Sequence, residues 1–127
     1  MPRSPSRTTN SRRRAERRGQ AGEAIAALLL RAKLYRVLAR RVKTPVGEID
    51  LVARRGDTLV FVEVKTRSRA ATEEQAHAAV NRARIVRAAN WYLMRHPRLS
   101  GLTIRFDVIF VAGLSLPRHI ANAFEAF

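Results

Sequence analysis

No cysteine occurs among the 127 residues. Disulfide frameworks, thiolate zinc sites and cysteine nucleophiles are therefore excluded, and the composition suits a reducing compartment. Long apolar runs are missing as well. The longest, Ala24 to Leu30, falls far short of the roughly 20 residues that span a bilayer. The N-terminal stretch is rich in Arg and Ser and has no apolar block of the kind a secretory signal carries. The cytoplasm is the expected location, and no membrane partner is expected. No Gly-rich phosphate loop, nucleophile elbow or zinc-finger spacing occurs, and His77, His96 and His119 show no metal-ligand spacing. Acidic residues are scarce too: 10 Asp and Glu stand against 25 Lys and Arg.

That imbalance sets the formal net charge at +15 and the sequence pI near 11.8, which points to a polyanionic partner, most simply nucleic acid. The length implies one domain, and a hydrophobic fraction of 46% is enough for a real core. Residues 1–19 hold seven arginines and one glutamate, a net +6, and almost nothing a core could use. They read as a disordered basic arm, with Arg12 to Arg18 able to start a helix. Residues 20–127 read as a single domain that keeps a net +9, so the folded part is basic in its own right.

Within that domain, residues 21–34 have helical periodicity, with Ile25, Leu28, Leu29 and Ala32 as the apolar stripe. Residues 35–43 alternate like an edge strand ending at Thr44-Pro45. Residues 46–53 and 58–66 are the clearest strands and form a β-hairpin across Arg54-Arg55-Gly56-Asp57. Residues 73–95 read as a long helix with Ala76, Ala79, Val80, Ala83, Val86 and Leu93 along one side and Ile85, Ala88 and Tyr92 opposite. His96-Pro97 ends it; residues 103–111 form another strand, and 118–124 an element of undecided type. The order predicts an α/β fold, a central mixed β-sheet flanked by helices.

The few acids concentrate around the hairpin: Glu48, Asp50, Asp57 and Glu63. If Gly56-Asp57 is the turn, Asp50 lies opposite Glu63; if Arg55-Gly56 is, Glu48 does. Either register puts Glu48, Asp50, Glu63 and Lys65 on one face by strict alternation, whereas a three-residue turn without a bulge would break this. Carboxylates meeting across a ladder among Ile, Leu and Val repel, and a divalent cation relieves that cost. Oxygen ligands with open water positions suit Mg²⁺ or Mn²⁺, and the Val64 carbonyl could add a ligand. Lys65 would then serve the attacking water or the developing negative charge. The competing reading is a half-exposed sheet face on which Lys65 pairs with Glu63 or Asp50.

Gly47-Glu48-Ile49-Asp50-Leu51-Val52-Ala53 and Leu59-Val60-Phe61-Val62-Glu63-Val64-Lys65-Thr66-Arg67, with Gly22-Glu23, Arg105-Phe106-Asp107-Val108 and Ala123-Phe124, resemble the YraN-like family of small bacterial proteins (UPF0102) over roughly residues 20–125. That family is similar to the restriction-endonuclease-like PD-(D/E)xK superfamily and, within it, to archaeal Holliday-junction resolvases. The resemblance implies a restriction-endonuclease-like fold with the hairpin at its centre. It implies Asp50 and Glu63 as metal ligands, Lys65 as the catalytic lysine, and Glu23 as the extra acidic residue of resolvase-like members. It also implies a homodimer for paired cuts, for which the second long helix offers a surface. The chain departs from the family at Ser68 to Gln75, where a Phe-Gly pair is usual, and by carrying Arg82 and Arg84 where a helix lysine is usual.

Other candidates are weaker. Arg40, Arg41, Lys43, Arg54, Arg55, Arg67 and Arg69 flank the acids in sequence and suit either a phosphate-tracking surface or an ordinary solvated face. Arg105 and Asp107 read as a structural ion pair, and Trp91 and Tyr92 as core before base-stacking residues. The expected function is a Mg²⁺- or Mn²⁺-dependent endonuclease acting on DNA, branched DNA included. The alternatives are a non-catalytic nucleic-acid-binding module on the same scaffold and an interaction protein whose arm docks an acidic partner.

Overall fold

In the computed structural model, helix α1 (Arg7–Ala32) leads into strands β1 (Arg36–Thr44), β2 (Gly47–Arg55) and β3 (Thr58–Lys65). Helix α2 (Ala71–Arg95), a 3₁₀ turn (Pro97–Leu99), β4 (Thr103–Phe110) and β5 (Arg118–Phe124) follow. The structure describes residues 7–66, 71–113 and 115–124, with the side chains of α1 from Gln20 and those of α2 from Arg82. The strands form one mixed sheet in chain order; only β3 and β4 run parallel, with α2 as their crossover. β1 is an edge strand, as its alternation and Thr44-Pro45 stop imply, and the undecided tail element forms the other edge as β5.

Each helix covers one face of the sheet, so β3, at the centre, is apolar on both sides. On the α1 side Ala26, Ala27 and Leu30 pack against Leu51, Ala53, Val60, Val62 and Ile109. On the α2 side Ile85, Ala88, Ala89 and Tyr92 pack against Ile49, Val52, Leu59, Phe61 and Phe106.

Helix α1 buries a different face from the expected stripe, and α2 buries most fully the second of its two apolar sides, the one carrying Ile85, Ala88 and Tyr92. On α1, Ile25 and Leu28 are 38% and 63% exposed, while Glu23, Ala26, Ala27 and Leu30 are buried. On α2, Ala83 is exposed and the buried positions are Ile85, Ala88, Ala89 and Tyr92; Ala76, Ala79 and Val80 lie outside the described side chains. In Ala-rich helices two faces carry similar apolar weight, and tertiary packing chooses between them. From the sequence the basic arm reads as disordered, with a helix able to start at Arg12 to Arg18. Helix α1 begins at Arg7 and runs through residues 7–19; residues 1–6 lie outside the described residues. Arg, Ala, Gln and Glu are good helix formers, and the packed C-terminal half supplies the costly nucleus from which the helix propagates.

Candidate functional site

The β2–β3 hairpin closes with the two-residue turn Gly56-Asp57, since Arg55 pairs with Thr58 and Leu51 with Val62. Gly56 carries the positive φ of 59° that a type II′ turn needs at its first central position. Of the two registers the sequence allowed, this is the one that sets Asp50 against Glu63.

Strict alternation nevertheless fails at Asp50. Ile49 and Val52, three residues apart, both face α2, while Leu51 and Ala53 face α1. The neighbouring strand bends at the same level. Arg40 pairs with Leu51 and Val42 with Ile49, and Arg41, at the position opposite Asp50, has φ 51°. Alternation along β2 is therefore interrupted by a kink shared between β1 and β2. It has a chemical consequence. Where β2 bends away beyond Leu51, the Val64 amide loses its ladder partner and donates instead to Asp50 Oδ2 at 2.7 Å. Asp50 is thereby tied to the backbone of β3 at the residue between Glu63 and Lys65.

Glu23 arrives from the other side. Helix α1 approaches β3 closely at Gly22, where a Cβ would run into the Thr66 methyl group. The next residue, Glu23, is 8% exposed, and its Oε2 has no hydrogen-bond partner. Arg41 Nε stands 3.5 Å from that oxygen, close enough for an ion pair but outside hydrogen-bond geometry. Burial raises the Glu23 carboxyl above its ordinary range, against the pull of Arg41 and Arg40. Burial also pushes Asp50 up to about 6; the Val64 amide opposes this, while Glu23, Glu63 and Glu48 add to it. Glu48, Asp50 and Glu63 line a cleft of about 300 Å³ together with Gly47, Ile49, Val62, Arg84 and Ile85. Gly47 lets α2 come near: a Cβ there would lie 3.3 Å from the Arg84 carbonyl oxygen.

The cations are partly committed. Lys65 Nζ lies 2.9 Å from Glu63 Oε1. Arg54 donates to the Gly56 carbonyl, and Arg55 donates to the Lys33 carbonyl and covers the Tyr35 ring at 4.3 Å. These two arginines stand at the turn end of β2, roughly 13–16 Å along the strand from Asp50, so flanking in sequence does not become flanking in space. Arg40 and Lys43 are exposed on β1; Arg67 and Arg69 lie outside the described residues. The cleft instead gains Arg84 from α2.

A second charged cluster offers a contrast. Asp107 is fully buried, and its two oxygens take Arg105 Nε and Nη2 at 2.8 Å, the Asn122 amide at 2.8 Å and His119 Nε2 at 2.7 Å. Lys33 Nζ donates to His119 Nδ1 at 2.9 Å, leaving the ring proton on Nε2, and Arg105 also reaches the Tyr35 hydroxyl. Burial pushes Asp107 up, but Arg105, the Asn122 amide and His119 outweigh it and hold the carboxyl low. The Arg105–Asp107 pair is structural, as expected. No local signal joins Tyr35 and His119 to it, because they stand 70 residues from Arg105 and 12 from Asp107 along the chain.

One buried acid is saturated, then, while Glu23 and Asp50 are short of positive charge. Such a set of hard oxygen donors fits Mg²⁺ or Mn²⁺. Among the described residues no three carboxylate or imidazole side chains already converge tightly enough to enclose an ion. Also among the described residues, no helix is long and apolar enough to cross a membrane.

Comparison with known proteins places this geometry in a lineage. Residues 22–111 match the Uncharacterised protein family UPF0102. The chain belongs to this family. A UPF0102 protein of Methylorubrum extorquens (strain PA1) is 48% identical over 122 residues, 95% of each chain. One from Bradyrhizobium sp. (strain BTAi1) is 50% identical over 114 residues, covering 88% of this chain and 82% of its own. A UPF0102 protein of Chelativorans sp. (strain BNC1) is 45% identical over 116 residues. The matched span of this UPF0102 member runs from Gly22, which seats α1 on β3, through Asp50, Glu63 and Lys65 to Val111.

Proposed function

We propose that the protein is a divalent-metal-dependent nuclease that hydrolyses phosphodiester bonds in DNA, branched DNA included. The observation that carries this reading is the buried Glu23 oxygen, which has no hydrogen-bond partner, together with Asp50, whose carboxyl is raised by burial and further by three neighbouring acids. Folding would not retain such repulsion for stability alone. Asp50, Glu63 and the Val64 carbonyl would hold Mg²⁺ or Mn²⁺, with Glu23 assisting. The ion would polarise the phosphate and lower the pKa of water. The Val64 amide keeps Asp50 oriented toward that task. Lys65 orients the attacking water and offsets charge that develops on the phosphate oxygens. Arg84, on the cleft wall, meets the phosphate backbone.

The basic chain supplies long-range attraction for nucleic acid. This reading extends to a homodimer that makes paired cuts. Apolar residues open to such a contact include Ile25 and Leu28 on α1, Leu34 just after it and Met94 on α2.

Purified protein incubated with four-way junction, flap, single-stranded and duplex DNA plus Mg²⁺ or Mn²⁺ should cut at least one substrate. Asp50→Ala should not, and Lys65→Ala should cut slower by a factor on the order of 10² or more. No cleavage by the wild type, or equal cleavage by the variants, rejects the catalytic reading.

A second reading rests on two contacts that neutralise acids without an ion: Lys65 with Glu63, and Arg41 with Glu23. They favour a non-catalytic nucleic-acid-binding module. It predicts binding that is steeply salt-dependent, survives Glu63→Ala and does not respond to metal.

A further inference from the structure

Trp91 is the single tryptophan of the chain. Its position on α2 suggests a core residue, but the structure places it elsewhere. The helix buries Ile85, Ala88, Ala89 and Tyr92, whereas Trp91 is half-buried and belongs to neither core cluster. The Arg95 guanidinium lies over the indole, 4.3 Å from the ring centroid. An aromatic ring of this size gains most from full burial, so a half-open indole under an arginine is unusual for a packing residue.

The flank it occupies is uniform in chemistry. At 3.6 residues per turn, Arg84, Arg87, Trp91 and Arg95 fall within about 80° of one another around α2. The three arginines are exposed, and α2 carries no acid between Arg82 and Arg95. Arg84 also lines the cleft of Glu48, Asp50 and Glu63. The strip therefore begins at the candidate site and runs roughly 16 Å along the helix axis. Guanidinium groups bind phosphates, and an indole stacks on a base. A base within an intact duplex offers its face only to its stacking neighbours; an unpaired one is free to meet an indole.

We propose that this flank of α2 is a track for single-stranded nucleic acid. An unpaired base stacks on Trp91, the backbone meets Arg84, Arg87 and Arg95, and the strand is led into the cleft. The inference rests on the nucleic-acid reading above and narrows it. The preferred substrate has unpaired nucleotides beside the phosphate at the site, as a flap, an overhang or an opened junction does.

A lone tryptophan makes the test direct. Full-length protein in EDTA is titrated with fluorescein-labelled single-stranded oligothymidylate, and separately with a blunt duplex of equal length. Anisotropy reports binding, and Trp91 emission reports stacking. Quenching should track the anisotropy rise for the single strand and be absent for the duplex. Trp91→Ala should weaken single-strand binding about five- to a hundred-fold, change duplex binding less than about two-fold, and be largely rescued in Trp91→Phe. Single-strand binding without quenching, or with Trp91→Ala unaffected, overturns the track even if the protein cleaves DNA. Binding of no nucleic acid in EDTA overturns the track, and the same result with Mg²⁺ added overturns the nucleic-acid reading as well. Quenching in a protein that never cleaves upholds the track and removes only the catalytic reading.

Discussion

Asp50 Oδ2 accepts the Val64 amide at 2.7 Å. Through that bond a carboxylate on β2 is held by the backbone of β3, at the residue between Glu63 and Lys65. The bond exists because β2 kinks just there, leaving the Val64 amide without a ladder partner.

The raised Asp50 carboxyl makes stability depend on pH. Below about pH 4 the group is protonated whether the chain is folded or not. Between its ordinary value of 3.8 and about 6, the folded state keeps a proton that the unfolded chain has released. Stability therefore falls as pH rises through that window and stays lower above it. The full difference is at most about 3 kcal/mol. Asp50→Asn keeps an acceptor for the Val64 amide and cannot ionise. Urea midpoints should show the variant more stable than wild type at pH 8 and equal to it near pH 3.5. Mg²⁺ should raise the wild-type midpoint and leave that of Asp50→Asn unmoved. A gap that does not widen with pH would mean that folding does not raise the Asp50 carboxyl.

Lys65 separates stability from turnover. Its side chain is 33% exposed, and its ion pair with Glu63 is worth under about 1 kcal/mol. Lys65→Ala should leave the melting temperature within a few degrees of wild type while reducing cleavage by a factor on the order of 10² or more. Loss of folding in that variant would show the lysine to be structural.

Gly22 sets the distance between α1 and β3. Gly22→Ala gains about 1 kcal/mol in helix propensity, but its methyl group meets the Thr66 methyl and costs about 1–3 kcal/mol in overpacking. The single variant should be less stable than wild type and, with Glu23 displaced, bind Mg²⁺ more weakly by calorimetry. Adding Thr66→Ser removes the opposing methyl and should restore both properties. A Gly22→Ala protein that is already more stable refutes the close approach.

Asp107 predicts the opposite pattern. Asp107→Ala leaves Arg105 and the Asn122 amide without their shared acceptor and should cost about 3–5 kcal/mol in urea unfolding. At a temperature where the variant is still folded, calorimetric Mg²⁺ binding should match wild type. A lost metal response would join the two clusters into one site.

Much of the fold is legible in local pattern. The Val- and Ile-rich run from Thr58 to Lys65, the Gly56-Asp57 turn and the His96-Pro97 stop each carry their own signal, because strand alternation, turn chemistry and helix termination depend on neighbouring residues. The helix faces are less legible: Ile25 and Leu28 have the helical spacing of a core stripe, yet Glu23, Ala26, Ala27 and Leu30 face the sheet. Small residues at Gly22, Ala26 and Ala27 allow close approach, and that advantage appears only once a partner surface exists.

The site divides along the same line. Asp50, Glu63 and Lys65 are singled out by sequence, since acids in apolar strands are costly wherever the strands go. The sequence by itself also determines the basic character of the chain, its α/β order and the narrow choice of hairpin registers. Only the tertiary structure decides that Asp50 turns to the Val64 amide, that Glu23 is buried without a hydrogen bond, that Arg84 enters the cleft while Arg54 and Arg55 stand apart, and that Trp91 stays out of the core. Charge and alternation are properties of a residue and its neighbours, whereas a kink shared by two strands and a helix seated on a glycine arise only when distant segments pack.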